Sequence, residues 1–258
     1  MRGTAQIQLG QFVLIYLLLI IVIAIMKKCG VNRTKLLVTA SIKMTVQLVL
    51  AGLILTYIFD NPHEIFVVAY VGAMTAFSIH RVLSQNKNIN GKFKAVIALS
   101  IIVPGLFVLL FFVAAVVGEN IFNPQYVIPL SGMIMGNTMT GVNLGLKTFR
   151  ESMEGQKDKI NALVCFGGDL KVILLPFVKK SLETAMLPTL NSMIGMGIVS
   201  LPGMMTGQIL SGTMPTTAIL YQIAIMIAVC TSVTSGAFIS LYFGYKTMYD
   251  DKKQIINL

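Results

Sequence analysis

Apolar residues fall in seven long blocks along this chain, at about 9–26, 36–59, 65–83, 95–117, 127–149, 186–212 and 216–245, with polar stretches between them. An α-helix rises about 1.5 Å per residue, so about 20 residues cross a hydrocarbon core of about 30 Å. Lipid offers no hydrogen-bond partner to the backbone, so each block predicts a membrane helix. The expected fold is all-α: a polytopic transmembrane bundle of seven spans, forming one domain over residues 1–258.

Charge orients the bundle. The first block is preceded by Arg2 alone and followed by Lys27 and Lys28, the reverse of a secretory signal. This places the N-terminus outside. Threading seven spans then puts 27–35, 81–94, 147–185 and 246–258 in the cytoplasm, with eighteen of the twenty Lys and Arg residues, and leaves the C-terminus inside. Asp60, Glu64 and Glu119 fall in or beside the outer loops. A chain that is 55% hydrophobic and only 12% charged is too apolar for a soluble domain, so it is expected in the cell membrane as a multi-pass protein. The net charge of +10 therefore reports topology and contact with membrane lipid. No basic module interleaved with aromatics points to nucleic acid. Cys29, Cys165 and Cys230 are scattered, which gives neither a disulfide framework nor a zinc site.

The first four spans read as lipid-facing helices rich in Leu, Ile, Val and Phe. Spans five and six differ. Gly132 with Gly136, Gly141 with Gly145, and Gly203 with Gly207 each make the G-x-x-x-G spacing that lets a neighbouring backbone approach. Within "SLPGMMTGQILSG" (200–212), Pro202 frees a carbonyl where lipid could not satisfy it. On one helix, Met193, Met196, Gly197, Ser200, Met204, Gly207, Gln208 and Ser211 share a small, polar, thioether-rich stripe, with Met205 on its aliphatic neighbour. Span five offers Met135, Asn137, Met139 and Asn143 beside its glycines. The two spans are expected to pack closely and line a path, across a subunit interface; close packing with no path is the alternative, in which the methionines only fill gaps. Span six is either one kinked helix or a re-entrant pair.

The only sizeable extramembrane segment is 150–185. Asp169 is a candidate N-cap after the Gly167-Gly168 turn, and Leu170, Ile173, Leu174, Phe177, Val178 and Leu182 recur on one face. Lys171, Lys179, Lys180 and Glu183 fall largely elsewhere. This predicts an amphipathic cytoplasmic helix, bent at Pro176 or straight, that lies on anionic lipid or docks a soluble partner. In span two, Lys43 and Gln47 either snorkel to the inner interface or face a hydrated cavity.

The absences are informative. No Asp or Glu lies within a span except Glu64 at one edge, while His80 sits near an inner end and His63 in an outer loop. Ion-coupled transport is disfavoured, because nothing binds the driving ion. Paired carboxylates and a nucleophile with a His partner are missing, so no catalytic residue is assigned. A P-loop is missing as well: Gly91-Lys92 runs into Phe93. No metal ligand set is firmly assigned.

"VIPLSGMIMGNTMTG" (127–141) and "TLNSMIGMGIVSLPGMMTGQILSG" (189–212) resemble the signature regions of the FetB (YbbM-like) family of ABC transporter permeases. The resemblance runs along the whole chain and is most specific in these two stretches. It implies a non-enzymatic membrane subunit, dimeric, that binds no cofactor itself and works with a separate cytoplasmic ABC ATPase carrying ATP-Mg. It also implies iron export, while a plant branch is linked to aluminium tolerance with a nucleotide sugar as cargo. By position it assigns Gly132, Met133, Gly136, Asn137, Ser200, Pro202, Gly203, Met204, Met205 and Gly207 to the family core. "CFGGDLKVILLPFVKKSLETAMLP" (165–188) is loosely similar to the coupling loop of ABC permeases, whose Gly-containing turn enters a cleft of the ATPase. Gly168 stands where alanine is common, which predicts a more flexible turn with coupling retained. The expected function is a permease subunit exporting iron or another metal. Its rivals are a permease for a non-metal cargo, a non-transporting scaffold and an intramembrane lipid-modifying enzyme.

Overall fold

The computed structural model describes residues 9–87 and 89–248, so Arg2 and the C-terminal tail, expected on opposite sides of the membrane, lie outside the described residues. Ten α-helices are described: α1 (Leu9–Leu14), α2 (Leu17–Lys28), α3 (Thr34–Asp60), α4 (Glu64–Gln85), α5 (Gly91–Phe111), α6 (Pro124–Glu154), α7 (Lys157–Cys165), α8 (Leu170–Gly195), α9 (Gly203–Leu210) and α10 (Pro215–Gly244). A π-helical turn, Phe112–Val117, prolongs α5, and a 3-10 turn, Tyr245–Thr247, ends α10. The described residues contain no strand, only an isolated bridge between Met196 and Ser200.

Four helices are long and apolar enough to cross a membrane by length and composition: Thr34–Asp60, Glu64–Gln85, Gly91–Val117 and Pro215–Thr247. The first expected span is broken at Ile15-Tyr16, where the Tyr16 amide turns back to the Val13 carbonyl at 3.1 Å. The sixth, 186–212, is not one helix. Its first part is the end of α8, which begins at Leu170 in the expected cytoplasmic loop, and its last part is α9.

The bundle is built on α10, which packs against α5, α6, α8 and α9. Two apolar clusters fill it. One joins Val82, Phe93, Ile97, Leu146, Phe149, Met153, Leu170, Leu174 and Tyr245. The other joins Val67, Val71, Val108, Leu109, Val127, Ile134, Ile225 and Val229. In the described helices Ser100, Thr138 and Ser232 are fully buried, and the Thr138 and Ser232 hydroxyls bond to each other at 2.7 Å. A Cβ at Gly236 would lie 2.9 Å from the Ser100 carbonyl oxygen and 2.8 Å from Thr138 Cγ2, so the helices touch backbone to backbone there. Small residues permit this approach, and in lipid that packing is the main attraction between helices.

One expectation changes. α5 is not mainly lipid-facing, with Ile97, Ile101 and Ser100 buried in the bundle, and α4 turns one side inward at Val67 and Val71. α5 is apolar on every side, so its core and lipid faces look alike in sequence. α2 and α3 fit the lipid-facing description well: α2 has no buried residue and α3 has only Ile58. Lys43 and Gln47 are exposed on α3.

Gly236→Ala should destabilise the bundle by about 1–3 kcal/mol, because the new methyl meets backbone that cannot rotate away. Gly52→Ala, with open space at the same position, should leave stability unchanged or slightly raised. Thermal unfolding of both variants in the same detergent checks the contrast.

Candidate substrate path and docking turn

α7 ends in a Schellman turn. The Gly168 amide donates to the Leu163 carbonyl and the Gly167 amide to that of Val164, both at 2.9 Å, with Gly167 at φ +81°. Asp169 then caps α8, its Oδ1 accepting from the Lys171 amide at 3.1 Å. Gly168 is not a loosened position: a Cβ there would lie 2.8 Å from the Leu163 carbonyl oxygen and 3.0 Å from Ile173 Cδ1. The pair makes a rigid corner. At its tip Phe166 is 91% exposed, beside exposed Leu163, Lys171 and Val172.

From this corner α8 runs 26 residues without a break, through Pro176 and Pro188. At about 1.5 Å per residue it is a rod of about 39 Å. Its first half does not lie on lipid and does not offer its apolar face to a partner. Leu170, Leu174 and Val178 are buried in the bundle, with Ile173, Phe177 and Leu182 packed against the same cluster. Farther along, Gly141 and Gly145 of α6 receive α8: a Cβ at Gly141 would lie 3.3 Å from the Ala185 carbonyl oxygen, and one at Gly145 3.2 Å from Ala185 Cβ. Lys179, Lys180 and Glu183 remain exposed.

The rod ends where the chain must reverse. Met196 leaves helical geometry (ψ 134°), Gly197 takes φ +83°, and its amide donates to the Ser200 carbonyl at 3.0 Å. The Val199 and Ser200 amides both turn back to the Gly195 carbonyl. Pro202 then opens α9, where its missing N–H costs nothing. The expected stripe from Met193 to Ser211 therefore does not exist as one face, because residues 196–202 are not helical. Met193 and Ser200 are exposed and Met196 is half-buried. Met204 packs on the apolar cluster that holds Ile225 and Val229, Met205 is buried, and Gln208 is half-buried. Gly203 and Gly207 meet open space.

The span-five residues point in different directions. Met135 is buried with its thioether against Gly105, while Met139 packs on the inner cluster. Asn137 is exposed and donates to the Met133 carbonyl at 2.7 Å. Gly132 faces Met74 Cε, and Gly136 meets nothing. Asn143 joins an amide cluster at the end of α4: its Oδ1 accepts from Asn86 Nδ2 at 3.1 Å and its Nδ2 donates to Gln85 Oε1. With the Gln85 amide turned end for end, its oxygen accepts from the Arg81 guanidinium at 3.0 and 3.2 Å. One chain thus brings Gly141 and Gly145 against α8, while Met133 of α6 and Met204 of α9 pack on the same apolar cluster and α9 packs on α10.

Sequence reasoning missed Phe166, the Gln85–Asn86–Asn143 cluster and Gln222. Gln222 of α10 is 4% exposed; its Nε2 donates to Met196 Sδ at 3.7 Å, and its enclosed Oε1 has no hydrogen-bond partner. An unpaired buried acceptor costs about 1–3 kcal/mol. The available signal was a lone amide in an otherwise apolar turn of α10. Among the described residues no group of three or more His, Cys, Asp or Glu could hold a metal ion.

A membrane bundle with a broken helix at one end and a capped glycine corner at the other fits a known group of sequences. The model of UPF0014, described as an uncharacterised protein family, matches residues 9–249. The chain belongs to UPF0014. It is 29% identical over 246 residues to the UPF0014 membrane protein YjkA of Bacillus subtilis, covering 94% of this chain and 95% of that protein. It is 27% identical over 214 residues to the "Probable iron export permease protein FetB" of Escherichia coli, covering 82% and 80%. A third relative is the Arabidopsis thaliana protein ALUMINUM SENSITIVE 3, 26% identical over 212 residues, covering 81% and 76%. No solved structure matches. As a UPF0014 membrane protein, the chain shares a family with a named permease along most of its length.

Gly167→Ala forces a side chain into the left-handed region, and Gly168→Ala drives a methyl onto the Leu163 carbonyl. Each should cost about 1–2 kcal/mol and loosen the α7–α8 corner. Faster amide exchange at residues 166–171, with the rest of the bundle unaltered, is the expected readout.

Proposed function

We propose that this UPF0014 chain is the membrane-spanning subunit of an ATP-binding-cassette exporter, acting as a homodimer with a separate ATPase and moving iron or another metal ion out of the cytoplasm. The observation that carries this reading is the continuity of α8. One unbroken helix joins an exposed, rigid corner at Gly167-Gly168 to the broken segment 196–202, so a push at the first is delivered to the second. The iron cargo is supported by the name of the Escherichia coli relative.

Seven passes complete the reading. α1 with α2 forms the first, α3 to α6 the next four, α8 the sixth and α10 the seventh, with α9 re-entrant. Basic residues then gather at the ends of α2, α4 and α6, on the side of the docking corner. Met196 lies level with Gln222, about 10 Å along α10 from its first residue, which puts the break at membrane depth. A second copy is supported by the open faces at Gly136, Gly203 and Gly207 and by exposed Asn137, an amide that lipid cannot satisfy. The ATPase bears ATP-Mg, since this chain carries no nucleotide-binding loop.

Phe166 is the knob this reading assigns to the ATPase, with Lys171 beside it and Lys179 and Lys180 farther along the exposed side of the rod. Phe166→Ser should lower co-purification with the cognate ATPase by about tenfold, since a desolvated aromatic anchor is worth about 2 kcal/mol or more at an interface. Charge reversal at Lys179 and Lys180 should weaken association in a salt-dependent way. ATP hydrolysis by the complex, measured with and without Fe(II), tests the whole reading. Stimulation by this chain and by Fe(II) is expected; a chain that never alters the ATPase would leave only a scaffold.

A further inference from the structure

α5 begins and α10 ends at one corner of the bundle. The Asn90 side-chain amide donates to the Thr247 carbonyl at 2.6 Å, and the Phe93 ring packs on Gly244. These contacts bring the exposed Lys92 and Lys94 to the same corner as Lys246, in the turn that ends α10. Neither helix supplies a carboxylate, since no Asp or Glu occurs in 65–118 or 215–248. Among the described residues the one ion pair joins Lys147 to Glu151, both on α6. Two helices long and apolar enough to span, Gly91–Val117 and Pro215–Thr247, meet the corner with their ends, which puts it at the level of lipid headgroups. Lys246 is held in place as well as charged. Its Nζ sits 4.1 Å from the centroid of the Tyr242 ring and 5.4 Å from that of Phe243. Tyr242 in turn stacks on Phe238, with centroids 5.0 Å apart. Phe238, Tyr242 and Lys246 recur at four-residue steps, so they form a ladder of about 12 Å down one side of α10. Phe238 and Phe243 remain exposed.

We propose that this corner binds one anionic phospholipid, its phosphate held by Lys246, Lys92 and Lys94 and an acyl chain lying along Tyr242 and Phe238. The charge complementarity is local. Orienting a helix in the membrane needs only the number of basic residues near its end, whereas here one ammonium is fixed over a ring and two more are carried to it by another helix. Basic pockets between the inner ends of membrane helices bind anionic headgroups, and aromatic side chains settle at the same depth. Below the cations the aromatic rungs run toward the hydrocarbon, where an acyl chain can follow them. A soluble protein is the poorer occupant, because Phe238 and Tyr242 lie beneath the headgroup plane and out of its reach. The site needs neither a cargo nor an ATPase, so it goes beyond the permease reading. It lies at the same end of the bundle as the docking corner, since Phe93 and Tyr245 share one apolar cluster with Leu170 and Leu174 of α8.

The test uses the full-length chain in detergent, titrated with dioleoyl phosphatidylglycerol or dioleoyl phosphatidylcholine and read by native mass spectrometry. Wild type should hold one phosphatidylglycerol about tenfold more tightly than phosphatidylcholine. Lys246→Gln, and Lys92→Gln together with Lys94→Gln, should each lower that affinity by about fivefold or more. Lys246→Arg, which keeps both the charge and the ring contact, should retain it. Lys27→Gln with Lys28→Gln, at the basic end of α2, should leave it unchanged. Tyr242→Leu removes no charge and should still weaken binding by about threefold, because the ammonium loses its ring. Equal affinity for the two lipids, or phosphatidylglycerol binding untouched by the lysine substitutions in variants of unchanged melting temperature, would overturn the proposal. Displacement of the lipid by millimolar inorganic phosphate would overturn it too, leaving a phosphate site with no use for the rungs. If the same substitutions cut co-purification with the ATPase while phosphatidylglycerol binding persists, the corner belongs to the ATPase and the lipid assignment fails.

Discussion

The close approach of α10 to its neighbours holds this molecule together. Ser232, Gly236, Ser240 and Gly244 recur every four residues along α10, all buried, and make a smooth ridge. The contacts along it are close: a Cβ at Gly244 would fall on the Phe93 ring. Hydrophobic burial drives little association between helices already in lipid, so surface fit and a few internal hydrogen bonds must do it. The Thr138–Ser232 hydroxyl pair and the Asn90 amide, which donates to the Thr247 carbonyl at 2.6 Å, tie the two ends of this seam. With α10 fixed in this way, α8 and α9 acquire definite positions beside it.

The division of labour follows from that seam. α4, α5, α6 and α10 share tightly packed clusters, whereas α9 rests on α10 and much of the 194–201 segment is exposed, with Ile198 at 91%. A broken segment with few buried contacts is the part of a bundle most able to change shape. α8 is intermediate, buried on one side from Leu170 to Thr189 and exposed in its last turn. The polar cluster of Asn143, Gln85 and Asn86 holds the C-terminal end of α4 against α6.

Much of this was legible residue by residue. Asp169 and Gly167 announce the start of α8, because only a short acceptor side chain and a residue tolerant of positive φ serve a capped corner. Pro202 and the glycines around it announce a break. Gly141 and Gly145 announce close packing, and α8 does fill their groove. The same spacing at Gly203 and Gly207 leads to no neighbour within the chain, since spacing shows that a groove exists without showing what lies in it. The ridge on α10 escaped notice because serine, equal to glycine in opening a helix surface, is not part of a G-x-x-x-G pattern.

The sequence alone determined that this is a helical membrane protein and where several of its helices begin. These follow from local chemistry: hydropathy over about 20 residues, caps and turn residues act within a few turns of chain. Only the tertiary structure decided that the amphipathic segment and the first part of the sixth apolar block are one helix. Hydropathy divides them at about residue 185, but backbone hydrogen bonding continues wherever α6 and α10 cover the polar half. It alone decided, too, that Gln222 faces Met196, since a contact across 26 residues depends on how two helices cross and leaves no periodic trace in either.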